Sequence, residues 1–372
     1  MYDALVAGGG PGGAAAALVL ARRGLRVLLV DATPSVATRL KVGESLPPGA
    51  RPLLRDLGLL AAVEAEGQLR SSGTTSVWGS PEPTGIDFVL GPDGPGWHLD
   101  RDRFDRSLRD AAVAAGAELR TEVAARAPSR AGNGWRVRLG EGEQVEARAL
   151  VDATGRRASL ARVLGARRRR SDRLVGLVGV AAAGEEDRDA RTLVEAAPEG
   201  WWYTALVPGR RRVVAFMSDA DLLPSGIRSA GGYRAALART EYVGPLAEAA
   251  SEPQTEAADG SRLEPVCGDG WIAVGDAALA FDPLSSQGIL TALYDGMTGA
   301  EALAAFLAGD RDALNQYRTH LDAIAAAYER NLLQAYRSEI RWPGNPFWAR
   351  RQRVENPGTS STKEGRRWRV GI

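Results

Sequence analysis

Asp3-Ala4-Leu5-Val6-Ala7-Gly8-Gly9-Gly10-Pro11-Gly12-Gly13 is an apolar strand running into glycines at G-x-G-x-x-G spacing. The pattern predicts a strand over 3–6, a tight turn, an alanine-rich helix to Arg23, and a second apolar strand from Arg26 to Val30 that ends on Asp31. Gly8 allows the turn, Gly10 lets the backbone approach a pyrophosphate, and Gly13 lets helix and strand pack closely. The helix N-terminus, opening with Pro11 and Gly12, offers free N–H groups and a partial positive charge to phosphates. Asp31 lies where a carboxylate accepts hydrogen bonds from ribose hydroxyls. Glycine-rich turns are common. It is the strand, glycines, helix, strand and acid in register that specify a dinucleotide site, without separating FAD from NAD.

At 372 residues and 44% hydrophobic content, the chain is long enough for two domains with a shared core. Its 47 basic and 46 acidic residues leave a formal charge of +1, so no bulk attraction to nucleic acid or anionic membrane is expected. The single cysteine, Cys267, excludes an internal disulfide, and nothing requires an oxidising compartment. No apolar run approaches the roughly 20 residues of a membrane-spanning helix, so the expectation is a soluble, unprocessed, cytoplasmic chain. His98 and His320 have no neighbours at metal-ligand spacing, so no metal is expected, and no Ser/His/Asp or Cys/His constellation stands out.

Two further segments bear on the cofactor. Val151-Asp152-Ala153-Thr154-Gly155-Arg156 reads as a buried strand ending in an acidic turn. Gly275-Asp276-Ala277-Ala278 follows the apolar strand Trp271 to Val274 and precedes Asp282-Pro283 and Gln287-Gly288. Both resemble motifs of the FAD-dependent monooxygenase superfamily, which includes aromatic hydroxylases and flavin-dependent halogenases. The resemblance implies FAD, with Asp276 on a ribityl hydroxyl and Pro283, Gln287, Gly288 and Ile289 beside the flavin ring. Asp152, Gly155 and Gly275 join the same set, as do Ala32, Arg39, Val123 and, at a helix start, Arg103. A helix N-terminus near the flavin pyrimidine stabilises negative charge there. Asp276 can also cap the helix that follows it, which is compatible with both roles.

Arg39-Leu40-Lys41-Val42-Gly43-Glu44-Ser45-Leu46-Pro47-Pro48 is similar to the Gly-Glu and Pro stretch of flavin-dependent halogenases. It resembles more closely that of flavoproteins that mature quinone-cofactor amine oxidases by oxidising a peptidyl tryptophan. Phe281 to Ile289, Arg341-Trp342-Pro343 and Pro346-Phe347-Trp348 point the same way. Tryptophan-type halogenases carry a catalytic lysine beyond the Gly-Glu motif, and this chain has no lysine between 42 and 362. Their Gly-Trp-x-Trp-x-Ile-Pro signature is only partly met by Gly200 to Pro208, with Tyr203 at the second Trp.

The resemblance thus implies hydroxylation of an electron-rich aromatic ring through a flavin hydroperoxide, with O₂ as co-substrate and FAD reduced by NAD(P)H or by a partner reductase. A tryptophan indole held in a peptide is the nearest case, and free small aromatics stay open. Lys41, Glu44 and Ser45 are the catalytic candidates, Lys41 having a phosphate or ribityl contact as its plainer role. Trp201, Trp202, Tyr203 and Phe281 are the candidate substrate walls. Two alternatives remain: flavin-dependent halogenation, and a flavin reductase, dehydrogenase or maturation partner.

The fold class expected is α/β: a Rossmann-like FAD-binding domain, an antiparallel β-sheet substrate domain, and C-terminal helices. The first is discontinuous, over 1–70, 97–175 and 262–300; the second comprises 71–96 and 176–261. C-terminal helices follow over 301–345, then a partly mobile basic tail over 346–372. An amphipathic helix is expected from Ala50 to Leu60, and the basic run Arg167 to Arg170 reads as a solvated helix end.

Overall fold

A computed structural model describes residues 1–34, 41, 43–88 and 91–352. The opening motif folds as its pattern predicts. Strand β1 (Tyr2–Ala7) leads through the glycines into helix α1 (Pro11–Arg22), and the chain returns as β2 (Val27–Asp31). Helix α2 (Arg101–Ala114) then feeds β3 (Glu118–Thr121). Strand β4 (Glu143–Asp152) and the later β5 (Trp271–Ala273) complete a parallel sheet in the order β5-β4-β1-β2-β3. An antiparallel pair, Ala125–Ala131 and Gly134–Leu139, turns at Gly132 with φ +56° and runs into β4.

Close approach explains the glycines. A Cβ on Gly13 would overlap the carbonyl oxygen of Gly8, and Gly8 itself takes φ +109° against the Ala153 carbonyl. Helix α3 (Gly288–Leu307) crosses α1 so tightly that a Cβ on Gly296 would collide with the Gly12 backbone. Helix α4 (Ala313–Ser338) packs on α3. Leu5, Leu29, Val151, Ile272 and Leu293 are fully buried between these layers, the sheet strands being apolar on both faces as parallel strands are.

A seven-stranded sheet roofs this domain. Its order is Gln254–Ala257, Leu174–Ala182, Arg211–Asp219, Gly200–Val207, Thr192–Ala197, Gly73–Val77, Thr84–Asp87. All neighbours are antiparallel except Thr192–Ala197 with Gly73–Val77, so part of 71–96 does join the roof. Each face of the sheet has its own apolar cluster.

Three expectations are corrected. Gly58, at φ +65°, breaks the expected 50–60 helix into Ala50–Asp56 and Leu60–Ala65. Arg167–Arg170 is a strand paired with Ser261–Glu264, where Arg168 turns inward. The described part of the expected tail, 346–352, is helix α5 (Pro346–Gln352), pinned by Phe347 and Trp348, both fully buried. Arg351 and Arg350 of α5 pair with the buried Asp219 at 2.7 and 2.6 Å.

Candidate active site

The first turn of α1 has no side-chain cap, so the N–H groups behind Gly10 are left for a ligand. A Cβ on Gly10 would meet nothing within 4 Å, in contrast to the crowded Gly13. This open glycine at an uncapped helix start forms one end of a cavity of about 320 Å³ between the parallel sheet and the roof.

Gly10, Pro11, Gly12 and Gly13 share that wall with Gly155 and Gly275. Gly275 adopts φ +58°, and a Cβ there would press on Ala292 of α3. Asp276 borders the same space, and Arg156 reaches it at 3.7 Å. Burial raises the Asp276 carboxyl above the ordinary range, opposed by Arg156, Arg101 and Arg168. Pro283, Gln287, Gly288 and Ile289 bring the α3 N-terminus to the cavity, and no side chain caps it either. Open glycines, two uncapped helix starts and a carboxylate between them fit the pyrophosphate and the polyhydroxyl chain of FAD.

Asp31 ends β2, its Oδ1 accepting from Thr33 N and Oγ1 at 3.1 and 2.8 Å and its Oδ2 facing Arg109 at 3.3 Å. Val123 N donates to the Asp31 carbonyl at 3.1 Å, while Ala32 borders a second, more open hollow with Arg126 and Arg138. Ala32, Asp31 and Val123 are therefore neighbours at the far end of the glycine loop. Arg39 lies outside the described residues.

The structure separates some residues that the motifs bring together. Asp152 does not reach the cavity: its Oδ2 accepts from Leu160 N and Ala161 N at 2.8 Å each, and its Oδ1 from Thr154. It builds the turn that presents Ala153, Gly155 and Arg156. Gly8 likewise acts behind the wall. Arg103 points to the Glu66 carbonyl at 2.6 Å, and Arg101 is the arginine of helix α2 that lines the cavity, donating to Gly43 O at 2.9 Å. Lys41 is held between Asp105 and Asp102, at 3.2 and 3.4 Å, away from the cavity.

Trp202 is also misplaced by the sequence reading. Successive side chains of a strand face opposite ways. Trp201 and Tyr203 therefore line the cavity, while Trp202 packs behind the roof against Phe216 and Tyr233, with ring centroids 4.8 and 5.2 Å away. Phe281 does line the cavity and stacks on Tyr328 at 4.0 Å.

Glu44 and Ser45 are on the wall, Ser45 opening the short strand Ser45–Leu46 that pairs with Gly96–His98 and Glu44 directly preceding it. Glu44 is 3% exposed, and its Oε2 has no hydrogen-bond partner among the described residues. Burial lifts its pKa above the ordinary carboxylate range, moderated by the backbone N–H groups of Glu44 and Gly43, by Arg101 and by the nearby Tyr203. The Tyr203 phenol is pushed well up by burial and by Glu44.

Arg156 and Arg168 were not assigned from the sequence. Arg156 donates to the Phe281 carbonyl at 3.1 Å and to the Asp259 carbonyl, tying the Asp152 turn to the roof. Arg168 donates to the carbonyls of Asp276 and Ala277 at 3.0 and 2.8 Å, fixing the turn that carries Asp276. No helix among the described residues is long and apolar enough to cross a membrane.

Comparison with known proteins agrees with this architecture. The FAD binding domain family matches residues 1–332. LodB of Marinomonas mediterranea, described as an FAD-dependent oxidoreductase, is 30% identical over 361 residues, covering 94% of this chain and 96% of LodB. Among solved structures, QhpG, a peptidyl tryptophan dihydroxylase essential for tryptophylquinone cofactor biogenesis, matches with a TM-score of 0.80 and 27% identity over 97% of this chain and 81% of its own. CmlS, a flavin-dependent halogenase, shares the fold with a TM-score of 0.85 at 23% identity, over 95% of this chain and 68% of its own. With the family match running from β1 into α4, the chain belongs to the FAD-binding family and is an FAD-dependent oxidoreductase of the superfamily that holds the flavin halogenases and the peptidyl-tryptophan hydroxylases.

Proposed function

We propose that the protein is a monooxygenase that hydroxylates an electron-rich aromatic ring, a tryptophan indole within a peptide or protein being its substrate. The observation that carries this reading is the orphaned Oε2 of Glu44, buried in a cavity walled by Trp201, Tyr203 and Phe281. Flat walls favour a flat ring, and a buried acceptor without a partner favours a ring that brings its own N–H. The likeness to QhpG and LodB supports the peptide-bound form of that ring.

FAD, when bound and reduced, supplies the activation of O₂; NAD(P)H or a partner reductase supplies the electrons. The chain's own part is binding, orientation and the exclusion of water. Gly10, Gly12 and Gly13 would present backbone to the pyrophosphate, Asp31 would hold the ribose and Asp276 the ribityl hydroxyls. The α3 start at Gly288 would favour negative charge on the flavin edge held beside it. Trp201 and Phe281 clamp the substrate ring, Glu44 Oε2 accepts its N–H, and Tyr203 fixes the Glu44 carboxyl. A carboxylate on an indole N–H increases electron density in the ring and so assists attack at carbon.

The pairing of Lys41 with Asp105 and Asp102 supports hydroxylation over halogenation, because it holds that ammonium away from the cavity. The test is anaerobic reduction of the FAD-loaded protein, then a pulse of ¹⁸O₂ with a tryptophan peptide, free tryptophan and bromide, read by mass spectrometry. One or more heavy oxygens on the peptide indole is the expected result. A brominated product makes the protein a halogenase, and peroxide with unchanged substrates rejects the indole reading.

A further inference from the structure

We propose that the aromatic residues behind the cavity wall form a route for single electrons, carrying an oxidising equivalent from the cavity to the protein surface through Trp201, Tyr336, Trp348 and Trp342. Trp201 lines the cavity, and its Nε1 donates to the Tyr336 hydroxyl at 3.2 Å. That hydroxyl donates in turn to Asp282 Oδ2 at 2.7 Å. Ring centroids then continue from Tyr336 to Trp348 at 6.1 Å and from Trp348 to the half-buried Trp342 at 6.0 Å. Trp78 offers a parallel step, 6.4 Å from Trp201 and 5.2 Å from Trp348. Four of the nine tryptophans gather here.

Packing alone does not call for this composition. Phenylalanine and leucine would fill the same volume without burying a phenol and a carboxyl, each of which costs stability unless satisfied. Trp and Tyr are the side chains that lose one electron most readily. A buried tyrosine can do so only if its phenolic proton has somewhere to go, and Asp282 is that acceptor. Its neighbours are Tyr336, the Leu284 N–H, Asp172 and Arg351, and burial with the Asp172 charge pushes its pKa up to about 6. It is therefore ionised at neutral pH and a stronger base than an ordinary carboxylate.

The oxidant is of the class of reactive oxygen radicals, formed in the cavity when O₂ is consumed without substrate. It gains one electron from Trp201. Tyr336 refills Trp201 and passes its proton to the Asp282 carboxylate. Trp348 and then Trp342 refill Tyr336, which regains the proton from Asp282, and a thiol or ascorbate in solution reduces Trp342. One electron and no net proton cross the relay. The consequence is protection of Tyr203, Phe281 and the cofactor site from oxidation during idle turnover, whichever ring is the substrate.

Bound oxidised FAD, excited by a nanosecond blue pulse under argon, is a one-electron oxidant that tests the route without any substrate. A tryptophan radical is expected by transient absorption, living at least ten times longer in the parent than in Trp348→Phe. In the parent the radical is quenched by added ascorbate, and this quenching is lost in Trp342→Phe. Trp348 is fully buried and its variant can lose stability. Trp342→Phe, at the accessible end, keeps the test open. Equal lifetimes and equal quenching in the parent and Trp342→Phe, or no aromatic radical in the parent, overturn the proposal.

Discussion

The floor and the roof of the cavity present different groups to it. The floor, between β1 and α1 and again at Gly275, presents backbone: glycines, free N–H groups and helix starts. The roof presents side chains, Trp201 and Tyr203 being turned to the cavity by strand alternation, with Glu44 beside them. Backbone recognition admits one residue type and leaves a fixed spacing in the sequence. Side-chain recognition is written in the same residues as ordinary core packing, so only the three-dimensional arrangement shows which face of the strand meets the cavity.

The floor gives the sharpest break. Gly13→Ala would push a methyl into the Gly8 carbonyl, whereas Gly10→Ala would place one in open space. Gly13→Ala should therefore lose folding and FAD together. Gly10→Ala should keep the melting temperature of the FAD-free protein and weaken FAD by about ten- to a hundredfold, or 1.4–2.7 kcal/mol. Flavin absorbance per protein and thermal melts of both variants decide it; equal behaviour of the pair would sink this account of the loop.

The matching contrast on the roof is Trp202→Ala against Trp201→Ala. Trp202→Ala should cost about 3–5 kcal/mol of stability by leaving a cavity, with the Michaelis constant of the folded enzyme unchanged. Trp201→Ala should raise that constant as well. A Trp202→Ala enzyme with impaired substrate binding at full stability would show that the two faces have been interchanged.

Much of the floor was legible because its constraints are local. Gly8, Gly10 and Gly13 act within one turn, and the structure returns the strand, helix and strand that their spacing demands. The roof was legible as alternating strands, but its partners lie far apart in the chain: Trp201 meets Tyr336, and Glu44 meets Tyr203. Strand period 2 was nonetheless available, and it already forbids Trp201, Trp202 and Tyr203 from sharing one face. Arg168 was missed for a different reason. A run of four arginines reads as solvated unless the strand pairing that turns one of them inward is known.

Asp282 lies where floor and roof meet, and pH should expose it. Its folded pKa of about 6 stands above the ordinary carboxylate value of 3.8, so the folded state favours the protonated form. The associated stability is full below about pH 4 and is lost as pH rises through 6, a difference of up to roughly 3 kcal/mol. Asp282→Asn, which cannot ionise, should lack that decline. Urea melts of both proteins at pH 4.5 and 7.5 isolate the effect from all other carboxylates. Parallel changes in the two would mean that Asp282 titrates normally.

The smallest contrast separates two arginines one residue apart from being neighbours. Helix α2 is capped by Asp100, whose side chain accepts from Arg103 N at 3.1 Å, and its buried positions are Phe104, Asp105, Leu108 and Ala112. Residues three, four and seven apart share a helix face, so Arg101 belongs with Phe104, Asp105 and Leu108, and Arg103 does not. Arg101 reaches Gly43 beside Glu44, and a Cβ on Gly43, at φ +85°, would sit 3.3 Å from its Nη1. Arg101→Ala should release the Gly43–Ser45 segment, lowering kcat/KM about tenfold, or 1.4 kcal/mol. Arg103→Ala removes one surface hydrogen bond to the Glu66 carbonyl and should shift stability by about 0.5 kcal/mol or less, leaving kcat/KM unchanged. If Arg103→Ala proves the more damaging to turnover, the α2 face has been assigned the wrong way round, and the family's arginine at this helix start acts from position 103 after all.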